Sequence, residues 1–382
     1  MMNLSEKISR LDKIADVENK KSGVIMGRVS KHQELRDKLT VKFVKTPSLN
    51  VNAALGGGYP LGRTTIITGD SDSGKTFHCL ETIALNMREN PDFVAAWLES
   101  EHSISIKDLE LFGIDTERFY FIPITKEEGG EGALNKVELV IATDAVDMVV
   151  INSLKCLTPS EEFKKGIGDL QVGSQARMNA KFMRKITATI SETNTALVMI
   201  QHLTTQIGGM IFGDPKVLGG GLAIRYGASI ITDMRKVSIQ PSDPISKEEG
   251  IKISVSVKKN HVVTDRFPYV KTEYYGIFGQ GTEKYLEALV LAQEAGFMTS
   301  GAWINMINPQ TGEPYTNSEG KPLKWNGKAK FRDYCIENPE FFEKLQCMIE
   351  GKIEYIDGEE LEEIKQMENM DMQEGAKLYS EE

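Results

Sequence analysis

Apolar and polar positions along this chain follow two periods, and the places where the period changes divide it into parts. Leu4, Ile8, Leu11, Ile14 and Val17 recur at helical spacing among charged residues, which predicts one amphipathic helix over 4–20. A short apolar piece, Gly23-Val24-Ile25-Met26, predicts a strand in a detached arm that can pack on its own domain or on a neighbour. From about Val41 strand-like and helix-like stretches alternate. Apolar runs at 64–68, 93–98, 119–122, 148–151 and 196–200 read as strands, and 106–112, 134–143 and 174–193 carry helical spacing. That alternation predicts an α/β fold, a mostly parallel sheet with helices on both faces. Three further strand-like runs at 229–235, 251–258 and 267–275 follow with short links and predict an antiparallel extension. After about Thr282 helical periodicity covers 285–295, a Pro/Gly/Asn-rich stretch covers 308–327, and helices are expected over 328–337 and 341–350. The expected organisation is an N-terminal arm over 1–40, a core over 41–281, a small C-terminal domain over 282–356 and an acidic tail over 357–382.

The chemistry concentrates at the end of the first core strand. Gly69-Asp70-Ser71-Asp72-Ser73-Gly74-Lys75-Thr76 fits GxxxxGK[ST] at every fixed position, between a β-branched run and a segment of helical spacing. That context separates a phosphate loop from a chance Gly/Ser turn. Small residues let backbone N–H groups turn inward onto phosphate oxygens, and the helix N-terminus adds partial positive charge. Lys75 is expected to reach the β- and γ-phosphates and the Thr76 hydroxyl to ligate Mg²⁺. The chain is therefore expected to bind a nucleoside triphosphate.

Composition narrows the setting. No apolar run approaches the ~20 residues of a membrane span, and the first residues lack the apolar core of a signal peptide. Cys79, Cys156, Cys335 and Cys347 are scattered with no CxxC pair, so neither a zinc site nor a disulfide framework is expected, and a reducing cytoplasm fits. The net charge of −10 looks unsuited to nucleic acid, but residues 357–382 hold ten acidic and two basic side chains. The other 356 residues are left near neutral, at −2, and a near-neutral body can carry a basic groove.

Further polar groups sit at the ends of apolar runs: Glu99-Ser100-Glu101-His102, Asn152-Ser153, Gln201-His202 and Lys258-Lys259-Asn260-His261. Strand C-termini of an open parallel sheet converge on one ligand crevice, which places Glu101, Asn152 and His202 toward the triphosphate. In this co-linear order, with 55–63, 149–158, 167–169, 176–178 and 207–229, the chain resembles the RecA family over roughly residues 40–280. Within that family it looks most like the phage UvsX-type recombinases.

The resemblance implies roles residue by residue. Glu101 matches the carboxylate that orients and activates the attacking water. His202 matches the residue that senses the γ-phosphate and passes its state to the DNA-binding loops. Lys259 and His261 occupy positions that supply cations in trans to a neighbour's γ-phosphate, with His261 where a second lysine is expected. Asn152 stands where the family usually has Asp holding Mg²⁺ through a water, and Asp108 lies where a tyrosine usually stacks on adenine. Two segments resemble DNA-contacting loops, 161–172 with Lys164, Lys165 and Gly166, and 204–218 with Gly208, Gly209, Met210, Ile211, Phe212 and Lys216, followed by Gly220 and Gly221. Arg177, Arg184 and Arg225 are candidate phosphate contacts beside them. The implied cofactors are ATP and Mg²⁺. The implied partners are single-stranded DNA, double-stranded DNA, further copies of the chain in a helical filament, a single-strand-binding protein and a loading mediator, in host cytoplasm if the source is a phage. An ATP-gated filament or mediator with weak hydrolysis, and a RecA-core hexameric helicase, stay open as alternatives.

Overall fold

The computed structural model describes residues 2–23, 25–163, 173–205, 216–219, 221–241, 243–263, 269–316 and 322–353. The arm begins with α1 (Leu4–Ser22), capped by a reciprocal Asn3–Glu6 box and closed by Gly23 in the left-handed conformation. The strand expected next is absent at Ile25 and Met26. The Asn19 side chain instead accepts the Met26 N–H at 2.7 Å and donates to its carbonyl at 3.0 Å, using the groups a strand partner would need. A second arm helix, α2 (Gln33–Leu39), buries none of its residues, and its polar sequence gave no periodicity to read.

In the core, β1 (Phe43–Val44), α3 (Leu49–Leu55) and β2 (Tyr59–Pro60) come first, with β1 and β2 paired antiparallel. Then follow β3 (Arg63–Gly69), α4 (Lys75–Glu89), β4 (Ala95–Glu99), α5 (Ile106–Phe112), β5 (Phe119–Ile122), α6 (Gly129–Ala142), β6 (Met148–Asn152), α7 (Ser160–Phe163), α8 (Ser174–Ile190) and β7 (Ala196–Thr205). The parallel strands lie in the order β3-β7-β6-β4-β5. Every position of β4 and β6 is buried, as strands covered on both faces require. Alternation divides their side chains between two apolar layers. Ile67, Trp97, Val150 and Val198 pack on one face, and Ile66, Leu98, Ile151 and Leu197 on the other.

A short β8 (Lys216–Leu218) folds back antiparallel on the end of β7, and α9 (Leu222–Gly227) leads into β9 (Ile230–Val237), which lies parallel to β3 on its free side. The antiparallel extension is β10 (Gly250–Asn260), β11 (Lys271–Ile277) and β12 (Gly281–Thr282). The C-terminal elements are α10 (Lys284–Glu294), β13 (Trp303–Asn305), β14 (Lys324–Asn326), α11 (Gly327–Glu337) and α12 (Pro339–Ile349). They share an apolar cluster around Trp325, Phe331, Phe341 and Leu345 that takes in Leu49 from α3. Beside Leu49, the Ser48 hydroxyl and Asn50 N–H both donate to the buried carboxyl of Glu287 in α10. Among the described residues no helix is long and apolar enough to cross a membrane.

Candidate nucleotide and nucleic-acid site

The phosphate-loop sequence spans the turn from β3 into α4, as its flanks predict. A side chain at Gly69 would place Cβ 2.2 Å from the Met234 carbonyl oxygen, and Gly74 holds φ +85° with the Ile253 Cδ1 2.6 Å from where a Cβ would stand. The tight turn needs both glycines. Asp70, Ser71 and Asp72 are exposed, Thr76 is half-buried, and Ser73 and Lys75 are buried. The Lys75 ammonium is folded back on its own loop, donating to the carbonyls of Asp70 at 2.5 Å and Gly69 at 3.2 Å and to Ser73 Oγ at 3.2 Å. Burial pushes its pKa down, and the nearby carboxylates of Glu101, Asp70 and Asp72 oppose that. A buried ammonium held by two carbonyls and a hydroxyl at the start of a helix suits a cradle for phosphate.

Register brings the strand tips to the same edge. Gly69 pairs with His202 across β3 and β7, and Glu99 with Asn152 across β4 and β6. His202 Nε2 and Glu101 Oε1 are 2.9 Å apart, each side chain about one-fifth exposed. The Cys156 thiol donates to the same Glu101 oxygen at 3.6 Å. Asn152 does not stand in the open with them. It is fully buried, with its amide nitrogen donating to Glu99 Oε2 at 3.0 Å and Ser103 Oγ at 2.8 Å. Its Oδ1 is buried without a hydrogen-bond partner. Such an orphaned acceptor fits a site for a water held by Mg²⁺.

Glu99, which closes β4, is a further site residue that the sequence reasoning missed. It is 4% exposed, and four N–H groups donate to it: Trp97 Nε1 at 2.8 Å, Asn152, the Glu101 backbone at 2.7 Å and the Ser103 backbone at 3.4 Å. A carboxylate closing an otherwise apolar, fully buried strand was the available signal. Asp108 is taken up by a helix cap. Its carboxylate is exposed and accepts the Ser105 N–H and hydroxyl in the capping box of α5, which also lowers its pKa.

Lys259 and His261 are far from the phosphate loop of their own chain. Lys259 pairs with Ile231, and Ile231 with Ile66, three residues before Gly69 and two strands away. At ~3.3 Å per residue and ~4.8 Å per strand this is about 14 Å between backbones. The Lys259 ammonium points further off, donating to the carbonyls of Arg225 and Tyr226 at 3.0 Å each. Burial and the neighbouring Arg225 lower its pKa. His261 is exposed at the same end.

Of the predicted DNA contacts, Lys164, Lys165, Gly166, Gly208, Gly209, Met210, Ile211, Phe212 and Gly220 lie outside the described residues. The flanks of both expected loops are ordered: 161–163 lie in α7, and the start and end of 204–218 pair as β7 and β8. Lys216 opens β8, and Gly221, at φ +97°, precedes α9. Arg177 and Arg184 lie two turns apart on α8, both exposed, and Arg225 is exposed on α9. Lys181, also exposed on α8, extends this face to i, i+4, i+7; the spacing in the sequence could have found it.

A parallel sheet whose strand tips gather around a phosphate loop, with a carboxylate and a histidine paired beside it, defines a P-loop nucleotide-binding protein of the α/β class. The RecA N-terminal domain family matches residues 11–283. The chain is 32% identical to Protein RecA of Thermus aquaticus over 314 residues, 82% of this chain and 86% of the relative. It is 32% identical to Protein RecA of Synechococcus sp. strain WH7803, over 83% of this chain and 77% of the relative. With Protein RecA of Campylobacter fetus the identity is 34%, over 73% and 79%. The chain belongs to the RecA family.

Proposed function

We propose that this protein is an ATP-dependent DNA recombinase that polymerises on single-stranded DNA, pairs it with a homologous duplex and exchanges strands. The observation that carries the reading is the Glu101–His202 contact of 2.9 Å, made three residues before the end of β7. It joins a carboxylate able to orient water to the strand that runs on into the second glycine-rich segment. Lys75 and Thr76 hold the triphosphate and its Mg²⁺, with Asn152 behind them. The metal, when bound, neutralises charge building on the phosphate oxygens. Glu101 aligns the attacking water and takes up its proton. His202 exchanges its bond to Glu101 for one to the γ-phosphate, so nucleotide state is passed along β7 to the loop.

Lys259 and His261, on the far end of the sheet, serve the site of an adjacent protomer. Hydrolysis then belongs to an interface and requires assembly. Leu4, Leu11, Ile14 and Val17 are exposed along α1, which suits an arm that docks on the next copy. Arg177, Lys181 and Arg184 supply phosphate contacts that read no sequence. Within the family we place the chain with the phage UvsX-type recombinases on its His202 and C-terminal unit. A single-strand-binding protein and a loading mediator are the partners this implies. A strand-exchange assay with ATP, ADP and a non-hydrolysable triphosphate tests the reading. Exchange supported by ATP and not by ADP is expected; no exchange under any nucleotide, or closed rings in electron micrographs, contradicts it.

A further inference from the structure

The RecA-family site usually carries an aspartate where this chain has Asn152, and the interior around Asn152 explains what replaces its charge. Both hydrogens of the Asn152 amide are committed, one to Glu99 Oε2 at 3.0 Å and one to Ser103 Oγ at 2.8 Å. The reverse orientation would set the amide oxygen against a Glu99 oxygen at the same separation, two acceptors with no hydrogen between them. The network therefore fixes which way the amide points, and leaves Oδ1 as the buried acceptor with no partner. Glu99 receives four N–H donors and no cation among the described residues, the pattern an acceptor-only carboxylate satisfies. Hydrogen bonds in series polarise one another in a low-dielectric interior. A carboxylate bonded to the amide thus makes Oδ1 more negative than that of a free asparagine.

We propose that Glu99 and Asn152 act as one unit of the metal-binding half of the site, with Glu99 a positioning residue that supplies the negative charge and Asn152 the oxygen that meets a Mg²⁺-bound water. The charge has moved one side chain back from the metal. An aspartate at 152 would bring two carboxylates to about 3 Å in a buried pocket, where one of them is forced to keep a proton. The inference rests on the nucleotide-site reading above.

The test is Mg²⁺ dependence of nucleotide binding, followed by fluorescence of a labelled ATP in full-length protein, with turnover left out of the readout. The Mg²⁺ concentration giving half-maximal binding is compared for the wild type, Glu99→Gln, Asn152→Asp and the double variant. Glu99→Gln is expected to raise that concentration about tenfold, the effect of removing a charge that acts through a metal-site residue. Asn152→Asp alone is expected to fail to lower it and to melt below the wild type. The double variant, with a carboxylate at 152 and an amide at 99 to donate to it, is expected to recover most of the Mg²⁺ response that Glu99→Gln loses. Recovery by exchange of charge is a result that packing damage would not give. Ser103→Ala, at an exposed position, frees one amide hydrogen without touching the core and is expected to raise the half-point about two- to threefold. An unchanged half-point in Glu99→Gln, or in Ser103→Ala where Glu99→Gln does not fold, overturns the proposal. So does a double variant worse than either single one. A wild type whose labelled-ATP binding ignores Mg²⁺ overturns the nucleotide-site reading as well, which keeps the two failures apart.

Discussion

Mixing two crippled variants tests whether the site is completed by a neighbour. In one chain the Lys259 ammonium is held by the Arg225 and Tyr226 carbonyls at 3.0 Å each, and its backbone lies about 14 Å from Gly69 by strand spacing. No rotamer of one lysine closes that gap, so the proposed role of Lys259 requires the phosphate of an adjacent protomer. Glu101→Gln keeps the phosphate loop and the lysine but cannot take the proton of the attacking water. Lys259→Ala keeps the water-orienting carboxylate but withholds the cation. Each alone is expected to lower DNA-stimulated ATP turnover on the order of 10²-fold or more, the size of a lost charge-stabilising group. In filaments assembled from equal amounts of both, half the sites have an intact carboxylate and half of those face an intact lysine. Turnover should therefore recover to about one quarter of the wild-type rate, a large rise over either variant. Phosphate release on single-stranded DNA at saturating ATP reads this directly. Recovery absent from the mixture, or near-wild-type turnover by Lys259→Ala alone, refutes the argument.

Three further outcomes follow from the same geometry. Lys75→Ala should weaken nucleotide binding at least about tenfold by fluorescence titration, while the nucleotide-free chain melts no lower, because the desolvation cost of a buried ammonium is removed together with its bonds to two carbonyls and a hydroxyl. Glu287 is buried and its carboxyl is pushed up to about 8, chiefly by burial. A raised carboxyl favours the folded chain below its unfolded value of 4.5, and that advantage is lost as pH rises through about 8, so Tm should fall from pH 6 to 8.5 and Glu287→Gln should flatten the fall. Arg177→Ala and Arg184→Ala should each reduce the slope of log affinity against log salt for single-stranded DNA by about one, without changing sequence preference.

Much of the core was legible because its strands are long apolar runs between helices of clear period. The helix at Ile106–Phe112 and the strand at Phe119–Ile122 fall on the expected bounds. The pair Phe43–Val44 and Tyr59–Pro60 escaped because two residues show no period, and Gln33–Leu39 because it buries nothing. The strand at Ile25 and Met26 was expected from apolar composition alone, and Asn19 shows how a nearby side chain can claim such backbone groups first. At the site, the phosphate loop was readable as a fixed pattern of small residues and Glu101 as a polar residue just past an apolar strand, whereas His202, expected at a strand tip, lies within a strand that runs on to Thr205. What stayed hidden was the relation of Glu99 to Asn152. They meet across two strands 53 positions apart, and nothing local in the sequence says that a carboxylate is buried against that amide. The separation of Lys259 from its own phosphate loop was likewise a matter of register, fixed by the antiparallel turn of β10 against β9.

The central claim is that a triphosphate seated between protomers controls the grip on unpaired DNA. Anisotropy of a labelled single strand, titrated with the protein in the presence of Mg²⁺ and either a non-hydrolysable triphosphate, ADP or no nucleotide, measures it most directly. Cooperative, tight binding with the triphosphate and weak binding in the other two conditions is the predicted result. Equal affinity in all three, with no cooperative assembly, would contradict the account.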